Sequence, residues 1–231
     1  MTEKPPSGRY ASPPCMAADV APEYFDPLAT DPQQAIDVAR WRKAERKRLL
    51  TARQTMRVAD RQAASAALAE RLSDLIANRL GGAAGRILSA YWPIKGEPDL
   101  RNLMAELHGK GAILALPVVE TRFAPLVFRR WTPETRMVRG DWNIPVPPDT
   151  AERLIPDIAL APVVGWAQGG WRLGYGGGYF DRTLASLAPR PVTVGIGLQA
   201  ACLPSIYPQA HDMPLDFILT ETGIATGCSV S

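Results

Sequence analysis

The chain has 231 residues, 21% of them charged, with 26 Lys and Arg against 23 Asp and Glu for a net charge of +3. That length supports one substantial core, with or without an appendage, and the slight basic excess suits anionic small molecules as well as nucleic acid, so charge alone selects no partner. With no run of about 18 apolar residues and no apolar leader core, neither a spanning helix nor a secretory signal is expected, which points to the cytoplasm. Three widely spaced cysteines, Cys15, Cys202 and Cys228, form neither a disulfide framework nor a zinc pattern, so free thiols are expected.

Residues 1–30 are rich in proline and small residues and carry no helix or strand period, which predicts an extended N-terminal arm. Residues 31–225 read as a single α/β domain and residues 226–231 as a tail. Asp31-Pro32 is a helix opening, with Asp as N-cap and Pro at the first helical position. The helix after it is basic, and Arg42, Arg46 and Arg53 share one face because they stand four and seven residues apart. A solvated face is the ordinary alternative for such a run. In a second helix Leu68, Leu72, Leu75, Ile76 and Leu80 form an apolar stripe, stopped by Gly81-Gly82.

The spacing then predicts a strand over 87–92, a loop over 93–98, a helix from Asp99 and a returning strand over 112–116, a right-handed parallel crossover. Loops past the carboxyl ends of strands form the ligand crevice of open α/β sheets, which places Glu97 where a ligand sits. Strands are also expected over 126–131, 157–164, 192–197 and 217–220, with a proline-rich irregular stretch before residue 148.

Between the strand at 157–164 and a helix over 179–187 lies Trp171-Arg172-Leu173-Gly174-Tyr175-Gly176-Gly177-Gly178-Tyr179-Phe180-Asp181-Arg182. Its glycines let successive N–H groups converge on one point, and an anion there meets the positive end of the following helix. Arg172 adds a fork that matches phosphate oxygens. A flexible turn is the bland alternative, but a turn needs neither the flanking aromatics nor the cation and carboxylate. His211-Asp212 lies in a later loop; a lone histidine is more often a surface residue than a catalyst.

This assembly resembles the 5-formyltetrahydrofolate cyclo-ligase family, also called methenyltetrahydrofolate synthetases, over about 40–223. The run from Arg172 to Arg182 is close to the family signature of Arg-Leu-Gly, a glycine-rich loop, two aromatics and Asp. Weaker supports follow in family order: the basic helix, Gly96-Glu97-Pro98-Asp99, Arg130-Trp131-Thr132-Pro133 and His211-Asp212-Met213-Pro214-Leu215-Asp216. The resemblance implies a three-layer, Rossmann-like α/β fold with a mostly parallel central sheet. It also implies ATP- and Mg²⁺-dependent conversion of 5-formyltetrahydrofolate to 5,10-methenyltetrahydrofolate by a monomer or weak homodimer, without nucleic-acid or membrane partners. Arg42, Arg46, Arg172 and the loop Gly174, Tyr175, Gly176, Gly177, Gly178, Tyr179 and Phe180 would then bind ATP. Arg172 and Tyr179 would be catalytic, Glu97, Tyr175 and Tyr179 would contact the folate, and Asp181 and Asp212 would hold Mg²⁺.

The chain departs from the family pattern in several places. Trp166-Ala167 stands for Phe-Asp, Phe180 for a second Tyr, Asn143-Ile144-Pro145-Val146-Pro147 for Gly-Ile-x-Glu-Pro, and the glutamine expected before His211-Asp212 is offset, with Gln199 as the candidate. These changes leave two other readings open: a non-catalytic nucleotide- or folate-binding regulator, and an RNA-binding protein using the basic helix. The second lacks interleaved stacking aromatics, since Trp41 stands alone in that helix.

Overall fold

A computed structural model describes residues 32–225. The expected arm, the Asp31 cap and the tail lie outside the described residues. Among the described residues four α-helices, α1 (Pro32–Thr55), α2 (Val58–Arg79), α3 (Arg101–Gly109) and α4 (Tyr179–Ser186), alternate with twelve short strands. Eight strands form one sheet: β1 (Ile87–Ser89), β2 (Ile113–Val118), β3 (Val127–Trp131), β6 (Arg153–Leu154), β7 (Ile158–Pro162), β10 (Val192–Ile196), β11 (Phe217–Thr220) and β12 (Gly223–Ile224). The spatial order is β12-β11-β10-β7-β1-β2-β3-β6. The five central strands, β11, β10, β7, β1 and β2, run parallel, and antiparallel strands close both edges.

The expected crossover is present, with α3 linking β1 to β2 and Leu88 paired to Leu114. Its helix begins two residues later than expected. Leu100 takes the cap position with no side-chain cap, while Asp99 accepts the Arg101 backbone N–H at 3.1 Å.

Alternation along the strands explains the layering. Ile158 and Leu160 of β7 and Leu219 of β11 pack with Leu68, Leu72 and Leu75 of α2 and Leu103, Met104 and Leu107 of α3. Their neighbours Ala161 and Ile218 point the other way, into a second cluster with Leu49 of α1, Leu184 of α4, Trp166 and Leu173. Helices therefore cover both faces, as a three-layer α/β fold requires.

Beyond the expected elements the structure has short strands at 138–139, 145–146, 153–154 and 223–224, and one hairpin that bears on the site. After β7 the chain forms a hairpin of β8 (Gly165–Ala167) and β9 (Trp171–Leu173) before it reaches the glycine loop. Trp166 pairs with Arg172, so this hairpin carries Arg172 out of the sheet on a short rigid arm. Free thiols are not uniformly found, because Cys202 is disulfide-bonded. No helix among the described residues is long and apolar enough to cross a membrane.

Candidate active site

From β1 the chain moves outward to β2 and β3, then returns to the other side of β1 as β7. That reversal is the topological switch point, where a crevice opens beyond the carboxyl ends of the strands. A cavity of about 870 Å³ lies there, walled by Tyr91, Trp92 and Glu97 after β1, Leu116, Pro117 and Val119 of β2 and its exit, and Pro162 at the end of β7. Its size is near the top of the usual range of about 300–1,000 Å³ for small-molecule sites. Arg42, Arg46, Glu97, Arg172, Gly174, Tyr175, Gly176, Gly177, Gly178, Tyr179, Phe180, Asp181 and Asp212 all line it. The structure thus brings every sequence-predicted site residue to one place.

The basic helix supplies the cationic wall. Val38, Arg42, Leu49 and Arg53 are buried and Arg46 is half-buried, while Arg40, Lys43, Lys47 and Arg48 are exposed. The helix therefore turns two kinds of basic residue in opposite directions: solvated ones outward, and a stripe of three arginines inward. Burial is the main reason the Arg46 guanidinium is pushed below its ordinary range, with Arg42 nearby adding to it. Arg46 Nε donates to Gly174 O at 2.8 Å, so it also holds the start of the glycine loop.

The loop itself is shaped by two left-handed residues, Gly176 at φ 98° and Gly178 at φ 63°, a conformation that glycine adopts at least cost. Gly178 is the N-cap of α4 and contributes no side chain there, so backbone N–H groups at the head of α4 adjoin the cavity. Arg182 holds the loop from behind through Gly177 O. The Tyr179 hydroxyl accepts the Phe123 backbone N–H at 3.3 Å, and the Tyr179 ring meets Trp142 edge-on at 5.7 Å.

Two buried ion pairs stand behind the loop. Arg42 grips Asp212 with a two-pronged contact, Nη1 to Oδ2 at 2.8 Å and Nη2 to Oδ1 at 2.9 Å. Arg172 Nη2 donates to Asp181 Oδ2 at 3.0 Å, and its guanidinium lies 5.2 Å from the centre of the Phe180 ring. Burial pushes the Arg172 guanidinium down, against the opposing pull of Asp181 and Asp212. Arg42 Nε and Arg172 Nε are both buried with no hydrogen-bond partner among the described residues. Buried N–H donors of charged groups are costly to leave unpaired, and the three arginines Arg42, Arg46 and Arg172 give this wall of the cavity a cationic lining.

The same contacts test the metal expectation. Asp212 Oδ2 accepts the Gln209 N–H at 2.7 Å in addition to Arg42, and Asp181 Oδ1 accepts the Met213 N–H at 3.2 Å in addition to Arg172. All four carboxylate oxygens are engaged by N–H donors, and no group of three or more His, Cys, Asp or Glu placed for a metal occurs among the described residues. Hard divalent cations need several oxygen ligands. As arranged, Asp181 and Asp212 are counter-ions of Arg172 and Arg42, and their oxygens are already engaged where the resemblance implies contact with Mg²⁺ directly or through water.

On the opposite wall Glu97 is 5% exposed. Its Oε1 accepts the Tyr175 hydroxyl at 2.6 Å and its Oε2 accepts the Ile94 backbone N–H at 2.8 Å. Burial raises the Glu97 carboxyl above the ordinary glutamate value, against the Tyr175 and Ile94 hydrogen bonds and the charges of Arg53 and Lys95. Burial and the adjacent Glu97 push the Tyr175 phenol well above its ordinary value, so it remains an O–H donor.

The cavity thus joins a wall lined by three arginines to a buried glutamate hydrogen-bonded to Tyr175. The model of the 5-formyltetrahydrofolate cyclo-ligase family matches residues 38–221. The chain belongs to that family of ligases. It is 30% identical over 145 residues to the 5-formyltetrahydrofolate cyclo-ligase of Mycolicibacterium smegmatis, covering 59% of this chain and 74% of that one. The enzyme of the same name from Haemophilus influenzae is 30% identical over 139 residues, covering 57% of this chain and 74% of that one. Among solved structures, the NMR structure of the Aquifex aeolicus 5,10-methenyltetrahydrofolate synthetase matches with a TM-score of 0.68 at 27% identity, over 82% of this chain and 96% of that chain.

Of the departures from the cyclo-ligase pattern, Phe180 and Asn143 line the cavity, whereas Trp166, Ala167 and Val146 do not. Trp166 and Ala167 are buried in the second core, and the Trp166 indole N–H donates to Leu198 O at 2.9 Å. Val146 pairs with Val138 in a two-stranded ribbon of β4 (Val138–Arg139) and β5 (Pro145–Val146). Gln199 lies in a separate network with Thr220, Thr222 and Glu221. The glutamine at the cavity is Gln209, two residues before His211, and its N–H caps Asp212. Its place in the sequence, nearer to His211 than Gln199, was the available signal. His211 is largely exposed, in keeping with the surface reading.

Proposed function

We propose that this chain catalyses the ATP-dependent cyclisation of 5-formyltetrahydrofolate to 5,10-methenyltetrahydrofolate, releasing ADP and phosphate. The observation that supports it best is that Arg42, Arg46 and Arg172 line one cavity together with a glycine loop at the head of a helix. In this reading the triphosphate lies between α1 and that loop. Arg42, Arg46 and Arg172 spread over its oxygens, and the backbone N–H groups near Gly178 add fixed dipoles.

The formyl oxygen attacks the γ-phosphorus of ATP; an O–P bond forms and the bond to the ADP oxygen breaks. N10 then attacks the formyl carbon and gives up its proton, and the C–O bond breaks with release of phosphate, leaving the methenyl cation. Arg172 is placed to neutralise charge that accumulates on the transferred group, and positioning two substrates in one cavity removes much of the entropic barrier. In this reading the Tyr179 hydroxyl, which also lies on a residue lining the cavity, supplies a second polar contact. Glu97 accepts from the amino group and ring N–H of the pterin. Because Asp181 and Asp212 are occupied by arginine, charge neutralisation in this account rests on Arg42, Arg46 and Arg172, and no step is routed through a metal.

Purified protein given Mg-ATP and 5-formyltetrahydrofolate is expected to develop the near-ultraviolet absorbance of the methenyl product. Folded protein that binds ATP but forms none would contradict the proposal and leave a non-catalytic binder.

A further inference from the structure

Arg53 does not belong to the phosphate wall, although it shares a helix face with Arg42 and Arg46. It is 5% exposed and makes three hydrogen bonds: Nε to Lys95 O at 3.2 Å, Nη1 to Val163 O at 3.2 Å, and Nη2 to the Tyr175 hydroxyl at 2.6 Å. The Tyr175 hydroxyl in turn lies 2.6 Å from Glu97 Oε1. A guanidinium has donors and no acceptor, which fixes the direction of the chain. The Tyr175 oxygen must accept from Arg53, so its single proton goes to Glu97. The donor at one end is cationic and the acceptor at the other anionic, the condition for short, strong hydrogen bonds.

Glu97 thereby has one internal donor on each oxygen, Tyr175 on Oε1 and the Ile94 N–H on Oε2. Each carboxylate oxygen offers about two acceptor sites, so one remains on each oxygen for a ligand in the cavity. Two such sites side by side suit a ring that presents an amino group beside a ring N–H.

We propose that Arg53 is a positioning residue which, through the Tyr175 hydroxyl, holds the Glu97 carboxylate as a paired acceptor and so governs affinity for the donor-bearing ring without touching it. This rests on the folate reading above for the identity of the ring. The groups facing Glu97 are Arg53 from α1, Tyr91 from the end of β1, Lys95 from its own loop and Tyr175 from the glycine loop. The Tyr91 phenol donates to Pro98 O at 2.9 Å. Tyr175 is thus the side-chain donor to the carboxylate, and two cations lie near its ring, the Arg53 guanidinium 5.8 Å and the Lys95 ammonium 5.3 Å from the ring centre.

The full chain, Y175F, R53M and the double variant test this. Each single change is expected to raise KM for 5-formyltetrahydrofolate about tenfold, the worth of one hydrogen bond to a charged group, while in R53M KM for ATP stays within about twofold. Because Arg53 acts through Tyr175, the double variant is expected to stay within about threefold of the worse single one. In Y175F the carboxylate loses a donor that favours its charged form, so the Glu97 titration, followed by carboxyl-labelled NMR, moves to higher pH. Additive effects, equal rises in both KM values of R53M, or an unmoved Glu97 titration in Y175F would overturn the proposal. If R53M does not fold, Y175F decides alone, since it removes one oxygen atom. Absence of methenyl product from the unmodified protein would count against the folate reading, whereas the Glu97 titration tests the Arg53–Tyr175–Glu97 chain without turnover.

Discussion

Replacing Asp212 by Asn separates a counter-ion from a metal ligand. Arg42 and Asp212 are 9% and 6% exposed at their side chains, with contacts of 2.8 and 2.9 Å. Asn keeps one acceptor oxygen but sets an amide NH₂ against a guanidinium NH₂, leaving a buried cation without its partner. Breaking a buried pair from one side costs about 3–5 kcal/mol. For a domain of this size each kcal/mol moves Tm by about 2–4 °C, so the variant should melt about 6–20 °C lower. Differential scanning calorimetry in chelator, with and without ATP, reads it. ATP should narrow the gap, because phosphate oxygens supply the negative charge that Arg42 has lost, and a ligand that binds only the folded state raises its stability by mass action. A carboxylate held open for a metal gives the opposite sign: in metal-free protein its removal relieves repulsion from Asp181 and raises Tm. A fall of less than about 2 °C, or a rise, would refute the counter-ion assignment.

Arg172→Ala should weaken ATP binding by at least about 100-fold in titration calorimetry, the equivalent of about two charge-assisted hydrogen bonds; affinity within tenfold of the unmodified protein would remove Arg172 from the phosphate site. The hairpin that carries Arg172 can be tested separately. Gly170 has φ 79°, and a Cβ there would lie 2.1 Å from Leu215 O, whereas Gly82 at φ 85° has nothing within 4 Å. Gly82→Ala should cost about 1–2 kcal/mol for its backbone conformation alone, and Gly170→Ala distinctly more in urea unfolding because the loop around Leu215 must also move. Equal costs would show that the hairpin tip is not clamped.

Much of the fold was legible because it is written in local periodicity. The crossover from β1 through α3 to β2 follows from spacing alone, and the apolar stripe of α2 from its heptad-like leucines. The inward stripe of Arg42, Arg46 and Arg53 could be read as a shared helix face, but which way that face turns depends on packing. The β8–β9 hairpin escaped notice since its strands are three residues each. Gln168-Gly169-Gly170 between two tryptophans was its turn signal.

At the site, the glycine loop and its cations were visible in the sequence, but their partners were not. Arg42 and Asp212 are 170 residues apart, and no local pattern announces that they meet. The family resemblance assigned Asp212 to Mg²⁺ directly or through water, and the structure adds that its carboxylate pairs with Arg42. Glu97 was placed by the topology of its loop; the link from it through Tyr175 to Arg53 joins three distant elements, so it emerges only from tertiary packing.

The central claim is phosphoryl transfer to a formyl oxygen followed by ring closure. Simultaneous measurement of ADP and methenyl product from 5-formyltetrahydrofolate and Mg-ATP tests it most directly. The account predicts that the two form in equal amounts and that neither forms when the other substrate is withheld. ADP released without folate at the same rate, or ATP bound with no methenyl product, would contradict it.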